Sequence, residues 1–259
     1  MFFIYLLMLA CAAGLAAFIY RYDLHEKEPW YMVLLAVGMG FFVMWLAGMA
    51  EDVTLARLSI GRGQFAARAA VVAHIESFAR VAMVLSVAWL FRTRFTDPLD
   101  GLMYGTLGGL GMAIEESLLY LSLAPATPHT LGVEVVRLFA HSLMGGLVGF
   151  AVGQWVRPMS RPHPKPILTA GCLAVAVLVH FSWDFIAYQA SHRALLRLVP
   201  MLLMLALMLV WGGLVAYASE QARGKARKAP VARDEGHTAH TAPLFDDADD
   251  AHPATDLPV

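Results

Sequence analysis

Charge is scarce in this chain. Only 15% of its 259 residues are Asp, Glu, Lys or Arg, and 59% are hydrophobic. A soluble domain of this length carries more charge and fewer long apolar runs, so the composition predicts a polytopic membrane protein. The formal net charge is −1, which offers no electrostatic footprint for nucleic acid, and no such partner is expected. Cysteine is nearly absent: Cys11 and Cys172 lie in apolar runs, with no CxxC spacing and no disulfide framework. No HExxH motif is present, so a metal has no local sequence signature. No internal repeat occurs. The opening stretch MFFIYLLMLACAAGLAAFIY lacks a basic leading region and is too long and uninterrupted for a cleaved signal, so a retained transmembrane helix is expected there.

What the chain does have is apolar length. A bilayer takes about 20 apolar residues per helix, and such segments fall at 2–20, 31–49, 65–91, 99–121, 131–155, 167–188 and 194–217. The expected fold class is all-α: a polytopic membrane helix bundle of about seven spans. Aromatics at several span ends, such as Tyr20, Trp30, Tyr31 and Trp155, fit an interfacial belt. Lys and Arg concentrate in the first, third and fifth loops (Arg21, Lys27, Arg92, Arg94, Arg157, Arg161, Lys165) and in the tail. The positive-inside bias then puts the N-terminus outside and the tail in the cytoplasm. Residues 1–218 read as the membrane domain. Residues 219–259, polar and rich in Pro and Ala, read as a disordered tail whose basic start can rest on anionic lipid.

Ionisable residues within the spans are few. They are His74, Glu76 and Arg80 in the third span, Glu115 and Glu116 in the fourth, His141 in the fifth, and His180 and Asp184 in the sixth. Charge at the bilayer centre costs roughly 2.5–3.5 kcal/mol on insertion scales, so such groups turn inward and serve a function. Counted from the outer end of alternating spans, Glu76 is about eleven residues deep, Glu116 about five or six, His141 about ten and His180 about eight. All four therefore lie about 8–17 Å below one face. A carboxylate or imidazole at similar depth in each of four spans points to one functional site.

Helical spacing adds supporting groups. Glu76 and Arg80, Glu116 and Tyr120, and His180 and Asp184 are i,i+4 pairs, so Arg80 can orient Glu76 and Asp184 can fix the tautomer of His180. Glu115 is about 100° from Glu116 around the helix and borders a neighbouring helix or the interface. The glycines of YGTLGGLGMA and HSLMGGLVGFAVG give faces on which helix backbones approach closely.

YRYDLHEKEPW (20–30), DPLDGLMYGTLGGLGMAIEESLLY (97–120), RLFAHSLMGGLVGFAVG and VHFSWD together resemble blocks of the PrsW family of intramembrane proteases. The central block selects Glu116 with Tyr120, and the histidine blocks select His141 and His180. Where that family commonly has two glutamates followed three residues later by a lysine, this chain has ESFAR. Glu76 matches the first glutamate, Ser77 replaces the second and Arg80 replaces the lysine. CAAX prenyl endopeptidases and related bacteriocin-processing membrane proteins share a similar pattern of Glu and His.

The resemblance implies a multi-pass enzyme of the bacterial inner membrane. Such an enzyme cuts a single-pass membrane protein, such as an anti-sigma factor in envelope stress signalling, near the extracytoplasmic face. Two versions of the chemistry stay open. In one, Glu76 or Glu116 is the general base and the histidines stabilise the oxyanion. In the other, His141, His180 and Glu116 hold Zn2+ with Glu76 as base. Two other readings remain: an inactive relative that binds a membrane partner, for which Ser77 speaks, and a proton-coupled transporter, against which the missing inverted repeat speaks.

Overall fold

A computed structural model describes residues 2–21, 29–123, 127–155, 166–189 and 198–228. They form seven helices: α1 (Phe2–Arg21), α2 (Trp30–Arg57), α3 (Phe65–Leu90), α4 (Pro98–Leu123), α5 (Pro128–Trp155), α6 (Pro166–Gln189) and α7 (Leu198–Lys228). The all-helical class and the seven helices match the sequence reading, most ends within a few residues. The exceptions are α7, which runs to Lys228 rather than 217, and α2, which continues past the expected end at 49 through AEDVTLAR. It closes in a Schellman turn: Ser59 takes φ 54°, its N–H bonds Ala56 O, and the Ile60 N–H bonds Leu55 O. The loop block 22–28 and most of the expected tail, from 229 on, lie outside the described residues. The tail's basic start instead continues α7 to Lys228. Residues 1–223 form one unit; of the second, 224–259, the described part is the last turn of α7.

Local signals set the helix starts. Pro98, Pro128 and Pro166 each begin a helix, where the missing N–H costs nothing. Ahead of α4, the Asp97 side chain accepts the Leu99 N–H at 2.9 Å, while Asp100 reaches back to the N–H groups of Asp97 (2.9 Å) and Thr96 (2.6 Å). This reciprocal capping box fixes where the central helix enters the bundle.

Among the described residues, six helices are long and apolar enough to cross a membrane, and α4 is not among them. The reason is its position. It packs along α5 and α2 and also touches α1 and α3, so most of its side chains are buried against protein. A helix wrapped by other helices need not be apolar to lipid. Glycine makes the wrapping possible. Gly101, Gly105 and Gly109 on α4 face Gly145, Gly149 and the His141 carbonyl on α5, and a Cβ on any of the three would overlap that backbone. On the other side, a Cβ on Gly40 would strike Gly108, and one on Gly111 would strike the Val37 carbonyl of α2. Close backbone approach of this kind is how helices associate where apolar burial gives no drive. Helix α7 is tied on by Trp211, whose indole N–H donates to Thr106 Oγ1 at 3.1 Å.

Replacing Gly105 by leucine should therefore lower stability by about 1–3 kcal/mol or more. The same change at Gly213, where a Cβ meets nothing within 4 Å, should be nearly silent. Thermal unfolding of the two variants in detergent checks the contrast.

Candidate active site

Arg80 of α3 is fully buried in a helix long and apolar enough to cross a membrane. A guanidinium has five donors and no acceptor, so every partner must accept. Nη2 bonds Glu76 Oε2, one turn earlier, at 2.9 Å, and also His141 Nδ1 of α5 at 3.1 Å. Nη1 reaches His180 Nδ1 of α6 at 3.3 Å. Both imidazoles thus turn Nδ1 toward the arginine, and a neutral ring then carries its proton on Nε2. The Nε2 atoms face carboxylates: His141 lies 3.0 Å from Glu116 Oε2 of α4, and His180 lies 3.4 Å from Asp184 Oδ2 and 3.6 Å from Glu76 Oε2. The two rings meet edge to face with centroids 5.6 Å apart.

The structure thus brings Glu76, Glu116, His141 and His180 together from four helices, with Arg80 and Asp184 in contact. Glu115 and Tyr120 border the same space. They line a cavity of about 350 Å3 with Glu76, Glu116 and Asp184, and Glu51, Asp52 and Arg68 complete its polar wall. His74 is exposed and bonds its own helix at Ala70 O. Ser77 is buried but faces elsewhere, into a separate apolar crevice between α3 and α6 lined also by Val81, Leu173 and Val177.

Several groups escape the sequence reading. Glu51 and Asp52 follow its early end of the second span. Glu134 and Arg137 of α5 lie within the fifth span, and their i,i+3 spacing, with Arg137 four before His141, is the signal that marks them. Arg137 bonds Glu134 at 2.6 Å, lies 3.6 Å from Glu116 Oε2 and stacks 4.2 Å above the Tyr120 ring.

The donor chemistry fits a metal. Among the described residues, ligand atoms of Glu76, His141 and His180 all lie within 4.8 Å of one another, a two-His, one-Glu set of the kind that binds catalytic zinc. The trio is not the expected one. The metal version of the sequence reading gives Glu116 as the third ligand, whereas the carboxylate gathered with both histidines is Glu76; Glu116 lies 3.0 Å from His141 Nε2 and 3.6 Å from Arg137 Nε. Charge also leaves room for a cation. Among the described residues around this cavity, four carboxylates (Glu51, Glu76, Glu116 and Asp184) and Asp52 outnumber the three arginines Arg68, Arg80 and Arg137. The buried Oε2 of Glu116 and Oδ2 of Asp184 make no aligned hydrogen bond, although each lies near an imidazole. Arg80 holds the Nδ1 side of both rings, so a metal bound by this set competes with the guanidinium there or displaces the Nε2 protons.

Residues 28–217 match the family model described as "PrsW family intramembrane metalloprotease", and the chain belongs to that family. It is similar to Protease PrsW of Shouchella clausii (strain KSM-K16), 26% identical over 215 residues that make up 78% of this chain and 92% of that protein. It is also similar to Protease PrsW of Bacillus subtilis (strain 168), 26% identical over 184 residues, or 71% of this chain and 82% of that protein. No solved structure shows a significant match. The chain is a multi-pass membrane peptidase, and the match spans α2 to α6, which carry the whole cluster, and most of α7.

Breaking the buried ion pair should be costly. Arg80→Met leaves Glu76 buried without its counter-charge and should destabilise by about 3–5 kcal/mol. Glu76→Gln in the same protein should restore most of that loss. Unfolding of the two single variants and the double variant in detergent measures the recovery.

Proposed function

We propose that this chain is an endopeptidase of the bacterial inner membrane that cuts a single-pass membrane protein, such as an anti-sigma factor, near the extracytoplasmic face. The observation that carries this reading is the convergence of Glu76, Glu116, His141 and His180 from four helices onto one buried centre with a polar cavity beside it. Their depth, about 8–17 Å below one face by helical rise, together with the Lys and Arg bias of the loops, supports an extracytoplasmic cut with the C-terminal tail in the cytoplasm.

In this reading His141, His180 and Glu76 hold Zn2+. When bound there, the ion supplies an acidified water and polarises the scissile carbonyl. The chain's own residues do the rest. Glu116, whose Oε2 has no aligned donor, takes a proton from the attacking water as oxygen bonds the carbonyl carbon. It then delivers that proton to the departing amine as the C–N bond breaks, leaving a new carboxyl terminus and a new amino terminus. Asp184, 3.4 Å from His180 Nε2, orients that ring. Glu115 and Tyr120 border the cavity in which the peptide must unwind, because a helical backbone has no free carbonyl to offer. Ser77 does not weaken the reading, since its side chain faces the crevice rather than the cluster.

Two measurements test this. Membrane proteomes of cells carrying wild type or Glu116→Gln should differ in one single-pass protein, which loses its ectodomain about 100-fold faster with wild type. No difference, with both proteins stably expressed, would favour the inactive relative. Purified wild type should hold about one zinc per chain, and His141→Ala should lose it. Full activity in metal-free protein would exclude the metal role.

A further inference from the structure

Arg137 lies in the first half of α5 and opens the block RLFAHSLMGGLVGFAVG, but the sequence alone gives it no role. It is nonetheless held on several sides. Its side chain is 11% exposed. Nη1 is fixed by Glu134 Oε2 at 2.6 Å, one turn earlier on the same helix. Its plane lies over the Tyr120 ring, with Cζ 4.2 Å from the centroid. Its Nε lies 3.6 Å from Glu116 Oε2. Tyr120 is one turn beyond Glu116 on α4, so the arginine bridges two helices and grips the one that carries the carboxylate. Glu116 Oε2 is thereby held between two groups, with His141 Nε2 at 3.0 Å on its other side.

We propose that Glu134, Arg137 and Tyr120 form a clamp whose task is to position Glu116, with Arg137 as the positioning residue. The inference rests on Glu116 being the general base. Its physical content is a separation of duties. A free carboxylate beside two imidazoles and Glu76 would swing in as one more metal ligand. The cation on its far side holds it back, available to take and return a proton. Arginine suits the task because its fork bonds Glu134 and faces Glu116 at once while its flat face stacks on the phenol. Lysine keeps the charge but can do only one of these at a time.

The test uses purified full-length protein in proteoliposomes with the single-pass protein identified from the ectodomain comparison. Arg137→Gln should lower kcat about 100-fold, the effect of a misplaced catalytic group, with KM and bound zinc unchanged, since none of the zinc-binding residues is touched. Arg137→Lys should recover part of kcat. Glu134→Gln, which frees Nη1 of Arg137, should lower kcat several-fold alone and far less in the Arg137→Gln background. A merely structural role would move stability and zinc content together with kcat, and lysine would give no recovery. Wild-type kcat in Arg137→Gln, loss of its zinc, or a Glu134→Gln effect that persists in full in the Arg137→Gln background would overturn the clamp while leaving the peptidase reading intact. Failure of wild type to cut at all would remove both.

Discussion

A guanidinium that must be buried at membrane depth governs this structure. Arg80 cannot lose its charge and is fully buried, so the fold has to supply acceptors around it. Glu76 gives the counter-charge from the same face of α3, and two imidazoles arriving on α5 and α6 accept from its Nη atoms, which leaves the buried Nε without an acceptor among the described residues. Each acceptor that satisfies the arginine is also a group able to bind a metal or move a proton. The requirement for electrostatic closure and the assembly of a reactive centre are therefore one constraint. The arrangement contributes little net stability, because desolvation of such a pair offsets most of its Coulomb attraction. Its consequence is specificity of packing: α3, α5 and α6 can approach only in the register that lets these atoms meet.

That register needs α4 close by, and glycine provides it. The α4 backbone lies against α5 and α2 without side chains between them, which carries Glu116 to within 3.0 Å of His141. An ordinary helix pair, separated by 8–10 Å, would leave the two further apart. The small-residue seams and the polar cluster thus belong to one design: the first sets the distance at which the second works. The seam also explains why the helix richest in glycine and acid is the one whose composition fails as a membrane span. It is solvated by protein rather than by lipid.

Much of this was legible in the sequence because a bilayer supplies a ruler. Long apolar runs gave the seven helices, and counting residues from span ends gave the common depth of Glu76, Glu116, His141 and His180. Depth is only one coordinate. The direction in which a side chain points around its helix depends on how neighbours pack, and here the reading was less complete. The metal version of the reading put Glu116 with both histidines, whereas Glu76, held by Arg80, is the carboxylate that converges with the two of them, and Glu116 reaches His141 alone while also lying near Arg137. Glu51 and Asp52 were invisible as site residues because α2 runs on past the apolar stretch and turns its charged end over the cavity. Arg137 and Glu134 stood in plain view within an apolar span, but their relation to Glu116 is a contact between helices that no local pattern encodes. The meaning of Ser77 also required three dimensions, since adjacent residues on a helix face different surroundings.

The central claim is that Glu76, Glu116, His141 and His180 act as one unit. Groups that act together lose their effect together, so their removal is far from additive. The most direct test is cleavage by purified protein in proteoliposomes, comparing Glu76→Gln, His141→Ala and the double variant. The account predicts that each single change lowers kcat by about 100-fold or more and that the double variant is no slower than the worse single one. Losses that multiply in the double variant, or a single variant that cuts at the wild-type rate, would contradict it.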